Sequence, residues 1–218
     1  MPRFFFLSLI AALLAFGGCG TKRDDSRADE SAATPREKKP GKAERKARKQ
    51  AEDEARAKEA IAKLQSADEP ALIAALGNQD RRVRRAAVQL LSDKNASSEA
   101  VVQAMLPLLA DHWKPTRQAT SKALVRIGQP AVAPLIATLA SNSPFGDLSF
   151  PTGRKRGKAM TIRSAVKDTL GELGEIAVPA LIEALSNGDA MVRRNAIGAL
   201  GRMGPKAAAA VPALLATH

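Results

Sequence analysis

Hydrophobic patterning divides this chain into successive regimes. Apolar or small residues run unbroken from Phe4 to Gly18, whereas Thr21 to about Lys42 contains no Leu, Ile, Val or Phe. From about Asp68 onward, apolar residues recur at helical spacing, as in Val83, Ala87, Leu90 and Leu91, or Val192, Ala196, Ala199 and Leu200. Such spacing lines one face of an amphipathic helix. The pattern also repeats. "PALIAALGNQDRRVRRAAVQLL" (Pro70–Leu91) and "PALIEALSNGDAMVRRNAIGAL" (Pro179–Leu200) align without a gap, 109 residues apart, with two weaker copies between them. Leu72, Met105, Leu135, Leu181 and Leu214 are equivalent in the first helix of each unit, and Leu91, Leu124, Leu170 and Leu200 in the second. Each unit is predicted to be a helical hairpin of about thirty residues.

Local signals agree. Asp80 and Asp189 stand where a second helix needs an N-cap. Asn95, Gly128, Gly174 and Gly204 follow the second helices at one shared register. Gly and Asn are the residues that accept the left-handed backbone ending a helix. Pro70, Pro130 and Pro205 open the next first helix, where a missing N–H costs little. The stretch "VPALIEALSNGDAMVRRNAIGALGRMG" (Val178–Gly204) resembles a HEAT repeat, of the short type also found in phycobilin lyases, and the resemblance covers about Asp68–His218. It implies an all-α fold: an α-solenoid of about four HEAT-like hairpins plus a terminal helix (about Pro205–Thr217), coiled as a right-handed superhelix. Each hairpin would bury its apolar face only against its neighbours.

One position is Arg in every full repeat: Arg84, Arg117, Arg163 and Arg193. In HEAT repeats, an Asp and an Arg at such positions hydrogen-bond within and between units, so the resemblance implies a structural ladder. A basic stripe on the concave face is the alternative. Arg85 and Arg194 strengthen it; Gln118 and Ser164, at the same register, break it. The third repeat is longer than the others. Its two marker leucines are 35 residues apart (135 to 170) instead of 19, which puts 16 extra residues in the turn between its helices, within Ser141–Lys158. That segment carries Phe145 and Phe150, then Arg154, Lys155, Arg156 and Lys158. Apolar anchors beside a cationic cluster suit contact with an acidic partner surface. "GRKRGKA" (Gly153–Ala159) is no phosphate-binding loop: its glycines are one residue too close, Ala159 replaces the needed hydroxyl, and no strand precedes it.

The opening segment fixes an expected location. Arg3 precedes an apolar core, Phe4–Phe16, that matches a secretory h-region and is short for a membrane span of about 20 residues. Cys19, the sole cysteine, follows Phe16-Gly17-Gly18 at its end. That block resembles the lipobox of bacterial lipoproteins, which implies an acyl lipid such as palmitate on Cys19 and loss of residues 1–18. Stable anchoring needs two or more chains. Gly20, where an Asp would favour the inner membrane, points to the outer membrane or periplasmic face. Residues 19–41 read as a charged, disordered tether. Residues 42–65 are mostly Ala, Glu, Lys and Arg with acid-first i,i+4 pairs, the signature of a solvated helical spacer. The repeat domain takes 66–218, with the insertion at about 141–158.

Net charge is +12, aromatics are 3% and Tyr is absent, which suits close-packed helices and not β-rich folds. One cysteine allows no disulfide framework. His112 and His218 are the only histidines, too few for a metal site with Asp111, and no activated nucleophile is evident. No catalytic residue, metal or cofactor is therefore expected beyond the lipid on Cys19. The reading is a non-enzymatic, membrane-anchored scaffold for protein–protein interaction in the bacterial cell envelope, its protein partner presenting an acidic surface. Two alternatives stand: a basic nucleic-acid-binding solenoid if the chain is not exported, and, with less support, a lyase-type HEAT-repeat enzyme. Export and the scarcity of aromatics argue against nucleic acid.

Overall fold

The hairpins form where the leucine register places them. In the computed structural model, residues 41–145, 148–150 and 160–216 are described. Lys42–His218 belong to one compact unit. Repeat 1 is α2 (Glu69–Leu76) and α3 (Arg81–Asp93). Repeat 2 is α4 (Glu99–Met105), extended by a 3-10 turn at Leu106–Ala110, and α5 (Lys114–Ile127). Pro107 cannot donate to the helix ladder, which accounts for that tightening. Repeat 3 is α6 (Gln129–Thr138) and α7 (Ile162–Leu173). Repeat 4 is α8 (Val178–Ala184), entered through a 3-10 turn at Gly174–Ala177, and α9 (Ala190–Met203).

Two helical layers result. First helices stack on first helices (α2, α4, α6, α8) and second helices on second helices (α3, α5, α7, α9). The marker residues Leu72, Met105, Leu135 and Leu181 face Leu91, Leu124, Leu170 and Leu200 in one continuous buried core. The punctuation works as its chemistry dictates. Asp80 Oδ1 accepts the Arg82 N–H, and Asp189 Oδ1 the Met191 N–H. Asn95, Gly128, Gly174 and Gly204 all have positive φ, between 52° and 74°.

Three features differ from the sequence expectations. The residues read as a free spacer form α1 (Lys42–Gln65), but its second half is not free. Ala57 is buried, Ile61 and Leu64 are half-buried, and the helix packs along α3 as a fifth member of the second-helix layer. Spacing of 57, 61 and 64 gives α1 a short apolar stripe to bury. The terminal helix is broken: a 3-10 segment, Gly204–Ala210, leaves helical geometry at Ala207 (φ −95°, ψ 15°) before α10 (Val211–Ala216). The insertion opens and closes with a minimal antiparallel ribbon, β1 (Ser149–Phe150) and β2 (Met160–Thr161), so among the described residues the architecture is all-α apart from two residue pairs. No described helix is long and apolar enough to cross a membrane.

Candidate functional site

The arginine column lies in the first turns of the four second helices, directly after the turns that join each hairpin. Arg84 Nη1 donates to the carbonyls of Asn78 and Gln79, and Arg193 Nη1 to those of Asn187 and Gly188, at 2.7–3.0 Å. Arg117 Nη1 donates to the carbonyls of Asp111 (2.6 Å) and His112. Arg163 Nη2 donates to the Ala140 carbonyl at 2.9 Å, across the insertion. These acceptors lie at or just beyond the C-terminal ends of the first helices, where carbonyls have no intrahelical partner and the helix dipole favours a cation. Each guanidinium is thereby turned into its own hairpin and is half-buried. Burial lowers the Arg117 pKa, against the opposing effect of Asp111.

The ladder also crosses between repeats. Arg84 Nε pairs with Asp111 Oδ2 of repeat 2 at 2.7 Å, with only 17% and 4% of the two side chains exposed. Asp111 Oδ1 accepts the Trp113 N–H at 2.7 Å. Asp189 of repeat 4 caps its own helix and, through Oδ2, accepts the Ser141 N–H of repeat 3 at 2.6 Å. The backbone N–H groups of Ser141 first and Met191 second hold the Asp189 carboxyl below its ordinary range. In the last turns, Arg126 pairs back to Asp93 and Arg202 back to Asp168.

Cations one residue after the column, or three before it, behave differently. Arg81, Arg85, Lys114 and Arg194 are exposed. Arg81 and Arg85 lie over the indole of Trp113, their Cζ atoms 5.0 and 5.9 Å from the ring centroid. Sequence reasoning gave Trp113 and Asp111 no role. Trp113 immediately precedes Lys114, which shares the register of Arg81, and that one-residue offset was the available signal. In repeats 3 and 4, Lys167 lies against Gly198 beside Arg202 and Arg194. Burial first, then those two cations, lower its pKa.

A cleft of about 880 Å³ opens between α1 and the turn of repeat 1, with Asp53 and Glu54 on one wall and Arg81 and Arg82 on the other. Arg82 donates to the Asp53 carbonyl at 3.0 Å and pairs with Asp80 at 2.7 Å. Hydrogen bonding from Arg82 lowers the Asp80 pKa.

Of the predicted insertion residues, Phe145 is half-buried and packs against the core, with its carbonyl accepting the Leu148 N–H. Phe150 pairs with Met160 in the ribbon. Arg154, Lys155, Arg156 and Lys158 lie outside the described residues, as do Cys19 and residues 1–18. His112 is exposed. Among the described residues no group of three or more His, Cys, Asp or Glu side chains is placed to hold a metal ion.

The family model for HEAT repeats matches residues 69–148 and 159–217. Its interruption, 149–158, falls inside the insertion deduced from the leucine spacing. Among solved structures, the chain is similar to the complex of CpcE and CpcF of phycocyanin lyase from Nostoc sp. PCC7120, with 22% identity and a TM-score of 0.34. That similarity covers 68% of this chain and 65% of the other, so the chain spans about two thirds of that protein's length. No curated protein matches the chain.

Proposed function

The chain belongs to the HEAT-repeat family, and we propose that it is a lipid-anchored scaffold that holds a partner protein at the bacterial cell envelope. Its four stacked hairpins provide a rigid frame of buried leucines and cross-linked turns, and the frame carries an addition that the repeat does not require. That addition is the observation behind the reading. Residues 149–158 interrupt an otherwise continuous family match, and the cations Arg154, Lys155, Arg156 and Lys158 fall between the two ribbon strands in the sequence. A single insertion in a regular array often marks a binding face. The envelope part of the reading rests on Cys19 at the end of an h-region.

Two measurements test the reading. Mass spectrometry of the N-terminal peptide from membrane-fractionated cells is expected to find lipid on Cys19 and residues 1–18 removed. An unprocessed, soluble chain would overturn the envelope assignment and bring nucleic-acid binding forward. Changing Arg154, Lys155 and Arg156 together to Glu is expected to weaken capture of the native partner. Unchanged capture by a folded variant would remove the insertion from the interface.

A further inference from the structure

The cations of the second-helix layer sort by register. At the column position they are drawn into carbonyls. At the neighbouring registers of repeats 1 and 2, Arg81, Arg85 and Lys114 remain exposed, and none of the three is in an ion pair with a described residue. Trp113 gives two of them a fixed position. A guanidinium stacked on an indole keeps its donor edge outward and has little side-chain freedom left to lose on binding.

We propose that this face of repeats 1 and 2, Arg81, Arg85 and Lys114 around Trp113, docks an extended acidic segment of a partner protein. The proposal rests on the scaffold reading above and supplies the partner's chemistry at a surface other than the insertion. Neighbouring helices pack about 8–10 Å apart. A segment crossing from α3 to α5 in the three-residue-per-turn polyproline-II form, whose rise is about 3.1 Å per residue, therefore presents an acidic side chain to each helix when one recurs at every third residue. The molecule already seats carboxylates at this edge. Asp53 and Glu54 of α1 stand across the cleft from Arg81 and Arg82, and both raise the Arg82 pKa after the larger effect of Asp80. Two observations favour a peptide over nucleic acid. Two guanidiniums already lie over the indole and compete with any base that would stack there. Further along the same layer, Asp93 and Asp168 are paired with Arg126 and Arg202, which withdraws two cations from any continuous phosphate track.

The test uses the full chain in detergent and a fluorescein-labelled dodecapeptide with Glu at every third position among Gly and Ser, read by fluorescence anisotropy. Binding is expected, weakening as salt is raised. Arg81→Glu with Arg85→Glu is expected to lower affinity about tenfold or more. Arg85→Lys keeps the charge but not the planar stack, and is expected to cost about two- to fivefold. The same peptide with Lys for Glu is expected not to bind, and the Arg154, Lys155, Arg156 triple Glu variant is expected to bind normally. An envelope assignment that failed would leave these outcomes untouched. Four results would overturn the proposal: no peptide binding at low salt; unaltered binding by the folded double variant; loss of binding in the insertion variant alone; or preference for a single-stranded oligonucleotide or phosphatidylglycerol vesicles over the peptide.

Discussion

Repeats 1 and 4 build the turn between their helices in the same way, although 109 residues separate them; repeat 3 does not. In the first pair an Asn side chain accepts the backbone N–H of an Asp two residues on, 2.8 Å at Asn78 and 2.9 Å at Asn187. That Asp caps the second helix, and the column Arg closes over the two turn carbonyls. Repeat 3 has no Asp before α7. Its N-cap, Thr161, makes no side-chain cap bond, and Arg163 reaches across 23 residues of sequence to Ala140. What its turn lacks is supplied from outside: Asp189 of repeat 4 takes the Ser141 N–H. A solenoid turn can thus be stabilised within its own repeat or by the next one, and the second arrangement leaves the turn free to carry an insertion.

Of the bonds between repeats, the buried pair Arg84–Asp111 should cost more to break than the exposed bond from Ser141 to Asp189. The largest effect is expected at Asp111, whose buried carboxylate joins repeats 1 and 2. Asp111→Ala leaves Arg84 Nε without its pair and is expected to cost about 2–3 kcal/mol in urea denaturation. A loss no larger than that of an exposed pair would break the comparison. A smaller effect is expected at the helix ends within repeats. Gly128 has φ 74° and ψ −130°, a backbone that glycine alone adopts readily, and open space where a Cβ would go, so Gly128→Ala costs conformational strain alone, about 2 kcal/mol. Asn95→Gly, at φ 52°, is expected to be close to neutral in the same assay.

The smallest effect separates the two kinds of turn by pH. The Asp189 pKa is depressed in the folded chain. Its contribution is therefore fully present above the unfolded aspartate pKa of about 3.9 and is lost as pH falls through the folded value. Asp189→Asn is expected to flatten the acid limb of the stability profile and to leave stability at pH 7 little changed, because Asn also caps helices. An unaltered acid limb, followed by thermal melting across pH 2–5, would show that the bridge to Ser141 contributes nothing.

How much could be read in advance follows from the range of each interaction. The caps at Asp80 and Asp189 and the positive-φ sites at Asn95, Gly128, Gly174 and Gly204 are local, and their residue types announce them. The buried leucines were legible because the repeat register compares four copies of one solution. The Arg81–Trp113–Arg85 stack depends on how one repeat sits on the next, and no single-helix pattern encodes it. Asp111 was obscured because it lies six residues before its column Arg, where Asp80 and Asp189 lie four before theirs. The ribbon strands, two residues each, are too short to show a period. Packing of α1 was visible in principle at Ala57, Ile61 and Leu64, but the surrounding charge concealed so short a stripe.

That docked helix sets how force would enter the molecule. A pull arriving along the chain at Gly41 meets α1 first, and α1 is fastened to α3 by a short apolar seam and by Arg82 on the Asp53 carbonyl. The load is borne on the flank of the first hairpin, through a stiff handle whose leading turns overhang the array. Under tension the solenoid would swing about that handle as one body before any of its stacked hairpins parted.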